Sequence, residues 1–143
     1  MKILVISGPN LNMLSKRDES KYSSLKIEQI IELLEIEFPF IEFTSFLSNI
    51  EGELVTRIQQ ADSEFDGMII NPGGYSHTSV AIMDALEICK IPKIEVHLSH
   101  LANREEYRQV LLTAKNTNGY VSGFKEYSYL AAAYLLTKLI KKL

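Results

Sequence analysis

Short apolar runs alternate along this chain with stretches whose apolar residues recur every three or four positions, and the alternation repeats five times. The first run, Lys2 to Ile6, precedes Ile27, Ile30, Ile31 and Leu34, the i, i+3, i+4, i+7 stripe of an amphipathic helix. Pro39 follows, where a helix does not readily continue. A second strand is expected over Phe40 to Phe46, and a second helix that turns Ile50, Leu54, Val55, Ile58 and Ala61 inward. The third strand runs from Gly67 to about Asn71 and the third helix from about His77 to Cys89. The fourth strand starts near Pro92 and reaches Leu98. A further helix is expected after Asn103, where Asn103 and Glu106 have capping-box spacing and Tyr107, Val110, Leu111 and Ala114 form a stripe. The fifth strand is Tyr120 to Gly123 and the last helix about Glu126 to Lys142. Its Lys138, Lys141 and Lys142 suit the negative end of a helix dipole.

Five β-α units with short connections predict a parallel sheet covered on both faces. The expected fold is an α/β, flavodoxin-like three-layer sandwich with strand order 2-1-3-4-5, formed by residues 1–143 as a single domain. One connection departs from the pattern. From Ser7 to Ser24 about eighteen residues separate strand and helix, against a typical handful. Such a loop is commonly an active-site lid, and the charged part, about residues 15–24, reads as a flap able to move.

Composition narrows the function classes. A length of 143 residues suits one domain with a sizeable core. The net charge of −3 gives non-specific nucleic-acid binding no electrostatic support. Cys89 is the single cysteine, forms no internal disulfide and reads as a small core residue. No CxxC or His/Cys ligand spacing occurs, so no structural zinc is expected. The apolar start, Met1 to Ile6, is too short for a signal peptide, and no run is long enough to span a membrane. A cytoplasmic protein is expected.

The reactive side chains gather after strand ends. Asn10, Arg17 and Tyr22 follow strand one, and Ser48 and Asn49 follow strand two. Asn71 and His77 follow strand three, with Gly73 and Gly74 in the turn between them, while Glu95, His97 and Ser99 line or leave strand four. Ligands of open α/β sheets bind outside the carboxyl ends of the strands. Glu95 and His97 are two apart and so share a face, where a carboxylate fixes the tautomer of an imidazole. Three of the chain's four arginines, Arg17, Arg104 and Arg108, fall on this rim, which suits a carboxylate or phosphate ligand. Each has an ordinary reading alone: a satisfied Glu95–His97 pair, His77 as a helix cap, Arg17 and Tyr22 as solvated loop residues, Asp84 as a surface position, Arg104 and Arg108 as partners of Glu105. Their convergence on one rim favours a site.

At these residues the chain resembles type II 3-dehydroquinate dehydratase. The resemblance rests on Gly8-Pro9-Asn10-Leu11-Asn12, Arg17, Tyr22, Asn71-Pro72-Gly73, His77-Thr78-Ser79-Val80-Ala81, Asp84-Ala85, Ile94-Glu95-Val96-His97-Leu98-Ser99 and Arg104-Glu105-Glu106 with Arg108. It implies removal of water from 3-dehydroquinate through an enolate to give 3-dehydroshikimate, the third step of the shikimate pathway, with no cofactor and no metal. It further implies Tyr22 as the proton acceptor, Arg17 beside it, Asn10 acting on the enolate oxygen through a water, and His97 as the proton donor oriented by Glu95. Asn71, His77 and Arg108 would hold ring hydroxyls, and Leu98 and Ser99 the carboxylate, with Arg104 and Gly73 as further contacts. Asp84 would reach a neighbouring subunit's site within a homododecamer of trimers. The chain departs from the usual pattern mainly in the lid, which reads Ser15-Lys16-Arg17-Asp18-Glu19 before Tyr22, and at Lys115, where proline is frequent.

Three other readings share the five-unit pattern. A receiver domain needs clustered acids after strand one and an acceptor Asp after strand three, where this chain has Ser7-Gly8-Pro9-Asn10 and Asn71-Pro72. An FMN-binding module needs a first loop rich in Gly, Ser and Thr, which Gly8-Pro9-Asn10-Leu11-Asn12 is not. An inactive scaffold homologue is disfavoured by the intact set of Asn10, Arg17, Tyr22 and His97.

Overall fold

The structure is a computed structural model and describes residues 1–141. Five parallel strands, β1 (Lys2–Ser7), β2 (Glu42–Leu47), β3 (Gly67–Asn71), β4 (Lys93–His97) and β5 (Tyr120–Ser122), lie in the order β2-β1-β3-β4-β5. The expected topology is the observed one. The helices are α1 (Ile27–Glu37), α2 (Glu51–Glu64), α3 (Val80–Ile88) and α4 (Tyr127–Ile140). Lys142, expected in the last turn of α4, lies outside the described residues.

Alternation along the central strands sorts side chains into two cores. Ile3 and Val5 of β1 and Ile69 of β3 pack with Ile27, Ile30 and Leu34 of α1 and with Tyr129, Ala132 and Leu136 of α4. Leu4 and Ile6, with Met68 and Ile70, face the other way against Leu54 and Ile58 of α2 and Ile82 and Leu86 of α3. Burial on both faces is why these strands read as unbroken apolar runs. The fourth strand is different. Ile94 and Val96 enter the first core, while Lys93, Glu95 and His97 alternate with them toward the other face and are all buried.

The structure corrects the sequence reading in four places. The expected helix after Asn103 is a chain of 3-10 turns at Leu101–Asn103, Glu106–Gln109 and Thr113–Asn116. Its proposed buried stripe fails at Tyr107 and Val110, which are exposed, and the expected Asn103–Glu106 capping box is replaced by turns that begin after His100 and Glu105 without a side-chain cap. The segment is held by tertiary bonds instead, with the Leu112 N–H donating to the Ser76 carbonyl at 2.9 Å. His77 does not start α3. It ends a 3-10 turn, Gly73–His77, and Ser79 caps α3 by accepting from the Ile82 N–H at 2.9 Å. Ile50 faces solvent as the residue before α2, and Phe40 lies outside β2 and is almost fully exposed. Finally, the long first connection contains two merged 3-10 turns over Leu11–Lys16, whose Leu11 and Leu14 are buried in the core. Past these turns the connection returns to the core, where Tyr22 packs and Ser23 is fully buried.

The loops after β1 and β3 touch because two glycines allow it. The Gly8 N–H donates to the Asn71 carbonyl at 2.8 Å, and a Cβ on Gly8 would lie 2.5 Å from the Pro72 carbonyl oxygen. Gly73, at φ +61°, leaves only 2.9 Å between such a Cβ and the Pro9 carbonyl oxygen. That φ is one that L side chains adopt at a cost. Gly8→Ala is expected to destabilise the fold by about 1–3 kcal/mol through overpacking against backbone. A lower urea midpoint would record it, and an unchanged midpoint would show that the two loops separate freely.

Candidate active site

All of the sequence-predicted site residues except Ser48, Asn49, Glu95 and Asp84 line one cleft at the carboxyl ends of the strands. The cleft spans about 520 Å³ including its open mouth. Glu95 lies behind its wall, fully buried, and Asp84 stands on the exposed face of α3.

The first loop brings Arg17 and Tyr22 together. Their side chains are hydrogen-bonded, the guanidinium donating to the phenol oxygen, and the Arg17 guanidinium carbon also lies 3.8 Å from the ring centroid. Arg104 approaches the same ring from the opposite loop, at 5.3 Å. The Tyr22 phenol thus meets two guanidiniums, one bonded to its oxygen and one near its ring. Two contacts tie the lid to the start of α4 and a third shapes the lid itself. Ser23 donates to Glu126 at 2.6 Å, Lys125 Nζ donates to the Glu19 carbonyl at 2.9 Å, and Asp18 accepts from the N–H and hydroxyl of Ser20. The Ser20 bonds hold the Asp18 carboxyl below its ordinary range.

The turn after β3 supplies Asn71 and His77. Asn71 Oδ1 accepts from the Gly73 N–H at 3.1 Å, and Nδ2 donates to the Tyr129 hydroxyl at 3.1 Å, so the amide orientation is fixed and one N–H is left over. Tyr129 is fully buried, and burial pushes its phenol up to about 12, which keeps it neutral. His77 donates from Nδ1 to the Val110 carbonyl at 2.7 Å. In the neutral ring its Nε2 is then an acceptor. Burial holds the His77 imidazole below its ordinary value, which favours that neutral form. Asn49 serves the loops rather than the cleft: its Oδ1 accepts from the Asn10 N–H at 2.9 Å, and its carbonyl accepts from Tyr75. Asn10 itself takes a left-handed backbone, φ 69°.

At the end of β4 the pair expected from spacing is formed. His97 donates from Nε2 to Glu95 Oε1 at 2.6 Å, and the His77 and His97 rings lie nearly parallel with centroids 6.2 Å apart. Glu95 accepts two more bonds, from the Ser76 hydroxyl to Oε1 at 2.5 Å and from the Thr113 hydroxyl to Oε2 at 2.6 Å. Ser99 accepts from Arg104 at 2.9 Å. Arg104 and Arg108 were expected on one helical face. Successive 3-10 turns bring them together instead, and Glu105 lies between them, 3.3 Å from Arg104 Nε and bonded to Arg108 Nε at 2.9 Å. Its own backbone N–H and then the two guanidiniums keep the Glu105 carboxyl below its usual range. These arginines thus pair with Glu105 and also line the cleft.

Sequence reasoning missed Ser76, Thr113 and Tyr129. Tyr129 sits in an apolar helical stripe and gave no sign of its role. Ser76 falls in the turn between Gly74 and His77, and Thr113 in a segment whose pattern suggests a helix that does not form. Among the described residues, no cluster of three or more His, Cys, Asp or Glu side chains is placed to hold a metal ion.

Known proteins resemble this chain along nearly its whole length. The model of the family "Dehydroquinase class II" matches residues 1–137. A 3-dehydroquinate dehydratase of Clostridium perfringens is 46% identical, covering 99% of this chain and 99% of its own length. One of Thermotoga petrophila is 44% identical, covering 100% of this chain and 99% of its own. The crystal structure of a type II dehydroquinase from Butyrivibrio crossotus superimposes with a TM-score of 0.92 at 40% identity, over 96% of this chain and 97% of that one. The chain therefore belongs to the class II dehydroquinase family.

Proposed function

We propose that this protein removes water from 3-dehydroquinate to give 3-dehydroshikimate, as a hydro-lyase of the shikimate pathway. The observation that carries the reading is that one cleft holds Tyr22 under Arg17 and His97 backed by Glu95, in a chain matched along nearly its whole length by one enzyme family. The reaction needs one group to take a proton from the carbon beside a ketone and another to give a proton to a departing hydroxyl.

Tyr22 is the acceptor. Its oxygen, next to Arg17 and with Arg104 nearby, takes the proton, and the C–H electron pair becomes the enolate. Asn10 faces the cleft to help stabilise the enolate oxygen through a water. As the enolate collapses, the C–O bond breaks, and His97 gives its proton to the leaving hydroxyl, which departs as water. Glu95 orients His97 and balances the charge of its imidazolium. Asn71, His77 and Arg108 hold the ring hydroxyls. Leu98 (through its backbone) and Ser99 hold the carboxylate, with Arg104 and Gly73 alongside. No cofactor enters the scheme. One folded unit supplies the catalytic groups, and the reaction takes place in the cytoplasm.

Asp84 acts on the site of a neighbouring subunit in a dodecamer of trimers. Support for this lies on α3, where Val80, Asp84 and Ile88 are spaced four apart and form one outward stripe, with Val80 and Ile88 more than half exposed. An exposed apolar stripe flanking a carboxylate suits a subunit contact. Ile88→Asp is expected to yield smaller assemblies and reduced turnover, read by light scattering and activity on the same sample. Full activity in a dissociated variant would remove Asp84 from the mechanism.

Product formation can be followed directly, because 3-dehydroshikimate is a conjugated enone and 3-dehydroquinate is not. A rise in ultraviolet absorbance on mixing is expected. Tyr22→Phe is expected to lose at least about a thousandfold in kcat while substrate affinity, measured by calorimetry, changes little. Normal turnover in Tyr22→Phe would overturn the assignment of the base.

A further inference from the structure

We infer that Ser76 and Thr113 are positioning residues that keep the shared proton of the Glu95–His97 pair on the imidazole, where it can be delivered to the leaving group. The inference rests on the role proposed above for His97.

Neither hydroxyl can touch a ligand. Ser76 and Thr113 are both fully buried, and both lie behind the cleft rather than along it. They come from segments far apart in the chain, the turn after β3 and the 3-10 chain between β4 and β5, joined by the Leu112 N–H to the Ser76 carbonyl. Each hydroxyl has one hydrogen, and the short distances to Glu95, 2.5 and 2.6 Å, place both hydrogens on its carboxylate. With His97 Nε2–H the fully buried carboxylate then accepts three bonds. A carboxylate out of water is stabilised only by such donors.

Two arrangements of the same proton compete. In one, His97 is an imidazolium against a carboxylate, with Nδ1–H as a strong acid. In the other, the proton sits on Glu95 and donates to Nε2, and the remaining Nδ1–H of a neutral imidazole is a far weaker acid. The two hydroxyls stabilise only the first. Removing one shifts the proton toward Glu95 and also makes the pair as a whole hold that proton to higher pH. The effect on activity therefore has a defined sign: kcat falls, and the limb at which activity is lost with rising pH moves upward. Other charged groups near the pair are His77, Arg104, Arg108, Arg17 and Tyr22 on the cleft side. On the same face of β4, Lys93 donates to the Cys89 carbonyl beside Asp62. All of these are retained in the variants, so a difference from the parent protein reports the hydroxyl.

The test is Thr113→Val, with Ser76→Ala as an independent second variant should the first not fold and Thr113→Ser as the rescue. Two readouts are taken: kcat and KM against pH, and the histidine ¹⁵N spectrum of His97. The expected result for Thr113→Val and Ser76→Ala is a kcat lower by about ten- to hundredfold. KM should stay within about twofold. The high-pH limb should move up, and the Nε2 resonance should shift toward an unprotonated nitrogen at pH values where the parent shows a protonated one. Thr113→Ser should restore both. An unchanged Nε2 resonance, or a loss of kcat with an unmoved limb, would overturn the inference. The spectrum needs no turnover, so a parent protein inactive on 3-dehydroquinate would sink the proposed function while the proton's position is still decided.

Discussion

A carboxylate taken fully out of water must be given donors, and in this fold Glu95 is that carboxylate. It sits on a strand whose other face is ordinary core, and its own face is shared with Lys93 and His97 rather than with aliphatic side chains. An α-helix packed there would offer Glu95 only side chains from one stripe. The chain instead places a 3-10 turn from each of two segments against it, delivering Ser76 and Thr113. The irregular connection between β4 and β5 is thus where the polar face of β4 is satisfied. The cost of burying the charge is offset by three hydrogen bonds, one of which sets the orientation of His97.

The same logic runs around the cleft. Several side chains with a proposed role are held by a neighbour outside the cleft lining. Tyr129 fixes the Asn71 amide, the Val110 carbonyl fixes His77, Glu105 spaces Arg104 from Arg108, and Asn49 holds the backbone at Asn10. Beneath them the sheet contributes rigidity, and the contact of Gly8 with Pro72 locks the two loops from which Tyr22 and His77 depart. Precision of this kind is what a two-proton elimination requires, since both transfers depend on hydrogen-bond reach.

Much of this was legible in the sequence. The apolar runs of β1 and β3 and the stripe of α1 reveal the alternating elements, because strands buried on both faces and helices buried on one leave different periodicities, and the count of five β-α units then suggests the order. The Glu95–His97 pair followed from spacing alone. The failures share a cause. Tyr107 and Val110 fit a helical stripe, yet the segment is drawn into 3-10 turns by the Leu112–Ser76 bond and by Glu95's need for a donor, both contacts between residues distant in sequence. His77 looked like a helix start, but the Gly73–His77 turn precedes the true cap at Ser79. Local pattern carries no information about a buried acid elsewhere in the chain.

The most direct test of this account is Glu95→Gln, assayed for kcat and substrate affinity. Gln has the shape of Glu but carries no charge, and it must present an N–H₂ to a site built from donors, so His97 would lose its fixed tautomer. We expect a folded protein that still binds substrate, with kcat lower by at least about a hundredfold, as when a triad carboxylate is replaced by its amide. Near-normal kcat in Glu95→Gln would contradict the account, because the buried charge would then be dispensable to the chemistry it is held to organise.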